Sequence, residues 1–302
     1  MHDQRLKDII PFVTSVERGS FTAAAEHLHV TGSAVSKSVS RLEARLGSPL
    51  LERTTRRLAL TDAGQAYYQT CLRILEELAE AESVLAAHRT IPSGRLRLAV
   101  PSTYGRLCVM PRLIPFCQQH PEVELSLSFS DRFVDLFEEG IDVAVRIGGS
   151  DDLPASLGCR HLGREVMAFC ASPAYLAEAG KPEHVDELLQ HRAILYERVD
   201  GSTKPWQFTT DDGHASWRTV PYRMALGDVD AQVQAVCAGL GVAQMPTWLI
   251  HEQLKRGELE IILPQLQPAG LGLTLVWPRR KQLLPKVDAL LAVLSELNIA
   301  AP

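Results

Sequence analysis

The sequence predicts an α/β protein in three parts: a helical N-terminal module shaped as a winged helix-turn-helix, one long helix, and a larger region of strands alternating with helices. Three observations carry that expectation. Positive charge gathers in one place: between residues 31 and 57, Lys37, Arg41, Arg45, Arg53, Arg56 and Arg57 stand against Glu43 and Glu52, whereas from residue 91 onward 20 basic residues face 25 acidic ones. From Asp62 to about Arg89 no proline interrupts the chain, and apolar residues recur at spacings of four and three. Beyond "TIPSGR" (90–95) the pattern changes to short β-rich runs separated by helical stretches. At 302 residues and 46% hydrophobic the chain is long enough for two or three domains.

The first helix is expected from about Gln4 to Glu17, with Leu6, Ile9, Ile10 and Val13 on one face. "RGS" breaks it, and the Ser20 side chain can cap a second, alanine-rich helix over Phe21 to Leu28. After a turn at His29 and Val30, Thr31 can cap a third helix that reaches about Leu46, where Gly47 and Pro49 stop it. Val35, Val39, Leu42 and Leu46 share one stripe of this third helix. Ser33, Ser36, Lys37 and Ser40 lie opposite, with Arg41 at the flank. Small hydroxyls permit close approach to a groove, and Lys37 and Arg41 reach phosphates or base edges. "LLERTTRRLALT" then reads as a hairpin anchored by Leu51, Leu58 and Leu60, with Arg53, Thr54, Thr55, Arg56 and Arg57 at its tip. A basic tip beside such a helix is a wing for the sugar-phosphate backbone or minor groove. The alternative is a solvated charged loop on an unrelated helical domain.

On "GSFTAAAEHLHVT" and "SAVSKSVSRLEARLGSPLLERTTRRLALTDAG", together with chain length and layout, the sequence resembles the LysR-type transcriptional regulators. Where that family often carries Gln-Pro or Pro-Ser, this chain has Gly32 and Ser33, and glycine offers no side chain for base readout. The resemblance implies a DNA-binding regulator rather than an enzyme. Thr31, Ser33, Ser36, Lys37 and Arg41 would sit at the major groove of double-stranded DNA, and Arg53, Thr54, Arg56 and Arg57 at phosphates or the minor groove. It also implies RNA polymerase as a partner.

In the long helix, Tyr67, Cys71, Ile74, Leu78, Ala81 and Leu85 form a heptad-like seam. Such a seam packs on its own domain or pairs with a second copy, and the resemblance favours a homodimer, extended to a homotetramer. Two half-sites then imply an inverted-repeat operator. The layout is residues 1–60 for DNA binding, 61–90 for pairing subunits, and 91–302 for sensing a small molecule.

The expected strands of the third part are 95–100, 123–129, 142–147, 165–172, 193–197, 241–246 and 271–277, with helices such as Leu107 to His120 and Arg132 to Glu139 between them, giving mainly parallel sheets. Ligands of such sheets gather at strand carboxyl ends and helix starts. That rule selects Ser102 and Thr103, Ser130, Arg146 with Gly148 and Gly149, and Asp228, with Tyr196 and Ser202 lining the same cleft. Each has a plainer role open to it: Ser102, Thr103 and Asp228 as caps, and Arg146 in an ion pair with Asp142, Asp151 or Asp152. The resemblance implies a two-lobed, periplasmic-binding-protein-like sensor with a small-molecule effector between the lobes, an anion being one candidate. Lobe I would comprise about 95–163 and 269–302, and lobe II about 164–268.

No P-loop, GxSxG elbow or HExxH is present, and "AGLGVAQMP" lacks the third glycine of a dinucleotide fingerprint. No cofactor, metal or catalytic residue is expected. The six cysteines show no CxxC pair and read as reduced thiols, although a pair brought together by the fold stays open. "MHDQRLKDIIPF" has no apolar core, and no run reaches membrane-spanning length, so a soluble, cytoplasmic protein without a membrane partner is expected. The competing reading is an α/β solute-binding protein or enzyme carrying a helical interaction module.

Overall fold

Residues 3–53, 58–85, 91–150, 152–198, 200–209 and 215–299 are described by a computed structural model, which divides into the units Met1–His88 and Arg89–Pro302. In the first unit α1 (Asp3–Arg18), α2 (Phe21–His27) and α3 (Gly32–Leu46) precede a hairpin of β1 (Leu51–Arg53) and β2 (Leu58–Leu60), and α4 (Asp62–Leu85) follows. The cap chemistry sets the boundaries: Ser20 Oγ accepts from Ala23 N at 3.1 Å and Thr31 Oγ1 from Ala34 N at 3.3 Å. Gly47 ends α3 in the left-handed region at φ 69°, where a side chain would be strained. Phe12, Val39, Leu42, Leu50 and Cys71 are buried together, so α1, α3, the hairpin and the start of α4 share one core. Glu43 Oε1 accepts from Leu50 N (2.9 Å) and Leu51 N (3.1 Å), which ties α3 to the root of the hairpin.

The second unit begins with β3 (Gly94–Val100), the short α5 (Ser102–Tyr104), a π turn over Gly105–Val109 and α6 (Met110–Gln119). Then come β4 (Val123–Phe129), β5 (Val143–Ile147), the 15-residue β6 (Leu157–Ala171), α7 (Pro173–Ala179), α8 (Val185–Leu188), β7 (Ala193–Tyr196), β8 (Trp206–Thr209), β9 (Ala215–Arg218) and β10 (Tyr222–Leu226). The chain closes with α9 (Val229–Cys237), β11 (Ala243–Pro246), α10 (Thr247–Lys255), β12 (Glu260–Ile262), β13 (Ala269–Pro278) and α11 (Pro285–Leu294). One sheet runs β11-β6-β13-β5-β3-β4, with β12 also on β6. Only β3 pairs in parallel in it, with β4 and β5, while β13 is antiparallel to β5 and β6, as β11 and β12 are to β6. The expectation of mainly parallel sheets is therefore corrected to a mixed one: the long strands β6 and β13 pass between two lobes in opposite directions.

Each lobe has its own apolar packing. In the first, Leu96, Leu98, Phe116, Val143, Leu275 and Leu290 are buried together. In the second, Phe169, Leu188, Leu195, Trp206 and Ile262 form one cluster and Ile194, Val236, Met245 and Ile250 another. The expected helix over Arg132 to Glu139 is absent: this segment is a chain of turns. Asp135 Oδ1 accepts from Phe137 N (2.8 Å) and Glu138 N (3.0 Å), a local bonding pattern that competes with helix formation and holds its carboxyl below the usual range. Strands β8, β9, β10 and β12 were not among the expected ones.

Candidate functional site

Helix α3 presents two unlike faces. Val35, Val39 and Leu42 are buried, whereas Thr31, Ser33 and Lys37 are exposed and Ser36 is half-exposed. Leu46, the last member of the expected stripe, is 40% exposed at the helix end. Thr31 Oγ1 and Ser33 Oγ lie 3.1 Å apart, clustering two hydroxyls at the helix start. The Arg41 guanidinium donates to Asp8 Oδ1 at 3.0 Å and to Ser38 Oγ at 2.9 Å. Asp8 is buried and needs a partner, so Arg41 fastens α3 to α1. Arg53 ends β1; Thr54, Arg56 and Arg57 lie outside the described residues. In α4, Tyr67 and Cys71 of the expected seam pack within the N-terminal core, while Ile74 and Leu78 are 42% and 44% exposed.

In the second unit a cleft of about 560 Å³ opens between the lobes. Six of the nine residues expected there line it: Ser102, Thr103, Ser130, Arg146, Tyr196 and Asp228. Gly148 and Gly149 do not; both border a neighbouring hollow, and the Gly148 N–H donates to Gly272 O at 2.8 Å. Ser202 does not either, because its hydroxyl turns to Asp200 Oδ1 at 2.6 Å in an exposed turn. At the start of α5 the Ser102 N–H is already engaged, since Asp131 Oδ1 accepts from it at 2.9 Å. Thr103 Oγ1 donates to Asp230 Oδ2 at 3.0 Å, and Arg106 pairs with the same carboxylate, so the two lobes are tied beside the cleft. Asp228 caps α9, accepting from Ala231 N at 2.7 Å.

Asp151 lies outside the described residues, and among them Arg146 pairs with neither Asp142 nor Asp152. Its Nη2 donates to Val134 O at 2.8 Å, its guanidinium carbon lies 5.7 Å from the Phe133 ring centre, and its Nε is buried without a hydrogen-bond partner among the described residues. Burial lowers its pKa from the ordinary arginine value, opposed by the Asp135 charge. The six cysteines are free; burial pushes the Cys170 thiol up to about 12 and the Cys108 thiol up to about 11, which disfavours thiolate chemistry at both. Among the described residues no group of His, Cys, Asp or Glu could hold a metal ion, and no helix is long and apolar enough to cross a membrane.

Two family models match this chain: the LysR substrate binding domain over residues 89–298, and the bacterial regulatory helix-turn-helix protein, lysR family, over residues 6–65. The chain belongs to the LysR family. An HTH-type transcriptional regulator of Haemophilus influenzae is 34% identical over 95% of this chain and 98% of its own length. The HTH-type transcriptional activator AaeR of Escherichia coli is 33% identical over 97% and 94%. Among solved structures, CrgA, a LysR-type transcriptional regulator from Neisseria meningitidis, superposes with a TM-score of 0.60 at 30% identity, covering 96% of this chain and 97% of that one. This LysR-family chain is accordingly a DNA-binding transcriptional regulator with an effector-binding domain, not an enzyme.

The LysR cleft also contains residues that sequence reasoning missed, notably Tyr104, Glu165, Lys204 and Trp248. Trp248 was within reach, since it follows the carboxyl end of an expected strand, the same rule that selected Ser102. Its ring packs edge-on against Tyr104 with centroids 5.0 Å apart, and its Nε1 donates to Glu165 Oε1 at 2.9 Å. Tyr104 Oη is buried without a partner among the described residues, and burial raises its pKa well above the ordinary phenol value. Lys204 lies in the segment between β7 and β8, where no periodicity marks it.

Proposed function

We propose that this regulator binds an inverted-repeat operator as a homodimer, which assembles further to a tetramer, and that a small anionic effector held between its lobes changes that binding. The observation that carries the reading is the polar outer face of α3, which lies opposite the buried Val35, Val39 and Leu42. In this reading Thr31, Ser33, Ser36 and Lys37 face the major groove, and Arg53, Thr54, Arg56 and Arg57 the DNA backbone. Arg41 acts by holding α3 in place through Asp8. Ile74 and Leu78 form the pairing seam of the second copy, which leaves the start of α4 inside the DNA-binding core. Residues 1–60 read the operator, 61–90 pair subunits and 91–302 sense the effector, with lobe I at about 95–163 and 269–302 and lobe II at about 164–268. The site of action is the cytoplasm, with RNA polymerase as the partner at the promoter.

The test is fluorescence anisotropy of the full chain on DNA from upstream of its own gene, with a shuffled duplex as competitor and over a salt series. Lys37→Ala is expected to narrow the affinity gap between operator and shuffled DNA, and equal losses on both would remove it from base contact. Arg56→Ala with Arg57→Ala is expected to weaken both alike and to lower the salt slope by roughly 1 to 2, since each phosphate contact contributes about 0.9. An unchanged slope would reject the wing. The cleft is tested separately by screening a metabolite collection for thermal stabilisation: a stabilising compound whose effect is lost in a Ser102→Trp protein supports it, and one whose effect persists there places the site elsewhere.

A further inference from the structure

Charge in the cleft is unevenly matched. Its carboxylates already have structural work: Asp131 accepts from Ser102 N, Asp228 from Ala231 N, and Glu165 from both Trp248 Nε1 (2.9 Å) and Leu271 N (3.1 Å). Two of its cations are likewise engaged, Arg132 with Glu139 at 2.8 Å and Arg198 with Ser202 Oγ at 3.2 Å. Arg146 and Lys204 are different. Arg146 keeps a buried Nε without a hydrogen bond, and among the described residues no hydrogen bond reaches Lys204 Nζ. Burial lowers the Lys204 pKa from the ordinary value despite the opposing charge of Glu165, so the cavity disfavours this charge as it stands.

These two cations come from opposite walls. Arg146 ends β5 in the first lobe, and Lys204 precedes β8 in the second. A buried charge without a partner costs free energy that an opposite charge recovers. Asp135 and Glu165 offset these charges in part without hydrogen bonding to either cation; a neutral ligand would add no charge beside them, and a monoanion would reach one. We propose that the effector is a dianionic organic acid, one anionic group held by Arg146 of the first lobe and the other by Lys204 of the second. Its apolar body lies against Phe133 and Trp248, which also line the cleft. The inference rests on the cleft being the effector site. It makes Lys204 a specificity-determining residue: loss of the amine removes the advantage of the second charge while the first is still bound.

The experiment is isothermal titration calorimetry on the full chain, with succinate, adipate and phthalate set against butyrate, hexanoate and benzoate. The proteins are wild type, Lys204→Gln, Arg146→Gln and, as a surface-charge control, Lys181→Gln, which removes the exposed pair with Glu260. Circular dichroism checks that each variant is folded. At least one diacid is expected to bind tenfold or more tightly than its monoacid counterpart, with one diacid per protomer. The preference should fall to within twofold in Lys204→Gln and persist in Lys181→Gln. Equal binding of mono- and diacids, or two monoacids per protomer, overturns the inference; if Arg146→Gln then abolishes that binding, the cleft reading stands. A diacid preference that survives both cation substitutions overturns the inference and the cleft reading together. No binding of any probe also overturns the inference, and the thermal screen with Ser102→Trp then decides the cleft alone.

Discussion

Gly64→Ala is expected to unfold the DNA-binding unit at a temperature where the wild type is intact. A Cβ at this position would lie 1.9 Å from Leu50 O and 2.8 Å from Leu50 C, both backbone atoms that cannot rotate away. Leu50 O also accepts from Thr61 N at 3.0 Å, and Thr61 Oγ1 accepts from Gly64 N at 2.9 Å while donating to Pro49 O at 2.9 Å. The whole junction between the hairpin and α4 must therefore shift. Overpacking against side chains costs about 1–3 kcal/mol, and a backbone collision belongs at the upper end. For a unit of this size that lowers the melting temperature by roughly 12 °C or more, since each kcal/mol is worth about 4–8 °C. Gly32→Ala is the contrast: nothing lies within 4 Å of its Cβ position, so the melt should hold or rise. A circular-dichroism melt and operator anisotropy read both, and a Gly64→Ala transition within about 2 °C of wild type would refute the packing argument.

Asp142→Ala is expected to cost the effector-binding unit about 3–5 kcal/mol, the range for removing one partner of a buried ion pair. Asp142 is 3% exposed, accepts from Arg97 N at 2.7 Å, and pairs with Lys281, which reaches it from the segment after β13. The pair links the start of β5 to the last part of the chain. Truncation takes the buried carboxylate away from Lys281 and frees the Arg97 N–H together. Adding Lys281→Met should restore at least about 1 kcal/mol, because two apolar groups in place of a buried pair leave no charge unmatched. Urea melts of the two singles and the double variant supply the cycle. A double variant destabilised by the sum of the two single losses would mean that the two residues act independently of each other.

How legible these features are in the sequence follows from how local they are. Ser20, Thr31 and Gly47 act on backbone groups within three residues, and the helices they bound are found where the caps place them. The tie of Arg41 to Asp8 is not legible, because its partner lies 33 positions away on another helix. The same limit hid Lys204 and made Ser202 and Gly148 look like cleft residues: a strand end shows where a loop starts, not where its side chains turn. The segment 132–139 carries helical spacing, and Asp135 overrides it with two backbone hydrogen bonds. The antiparallel middle of the sheet was illegible for the same reason, since β13 finds its partners more than a hundred residues upstream.

That late strand also governs the order in which the protein is made. β13 stands between β5 and β6, and Leu273, Leu275, Leu290 and Leu294 of the closing segment are all fully buried in the first lobe. While the ribosome is still adding these residues, the DNA-binding unit and the second lobe can already be complete. The first lobe has begun earlier in the chain and must wait, with β5 and β6 holding open edges toward each other. A nonsense mutation before Ala269 should therefore yield an insoluble product rather than an effector-blind DNA-binding protein, and the fraction of chain recovered in the pellet after expression would show it.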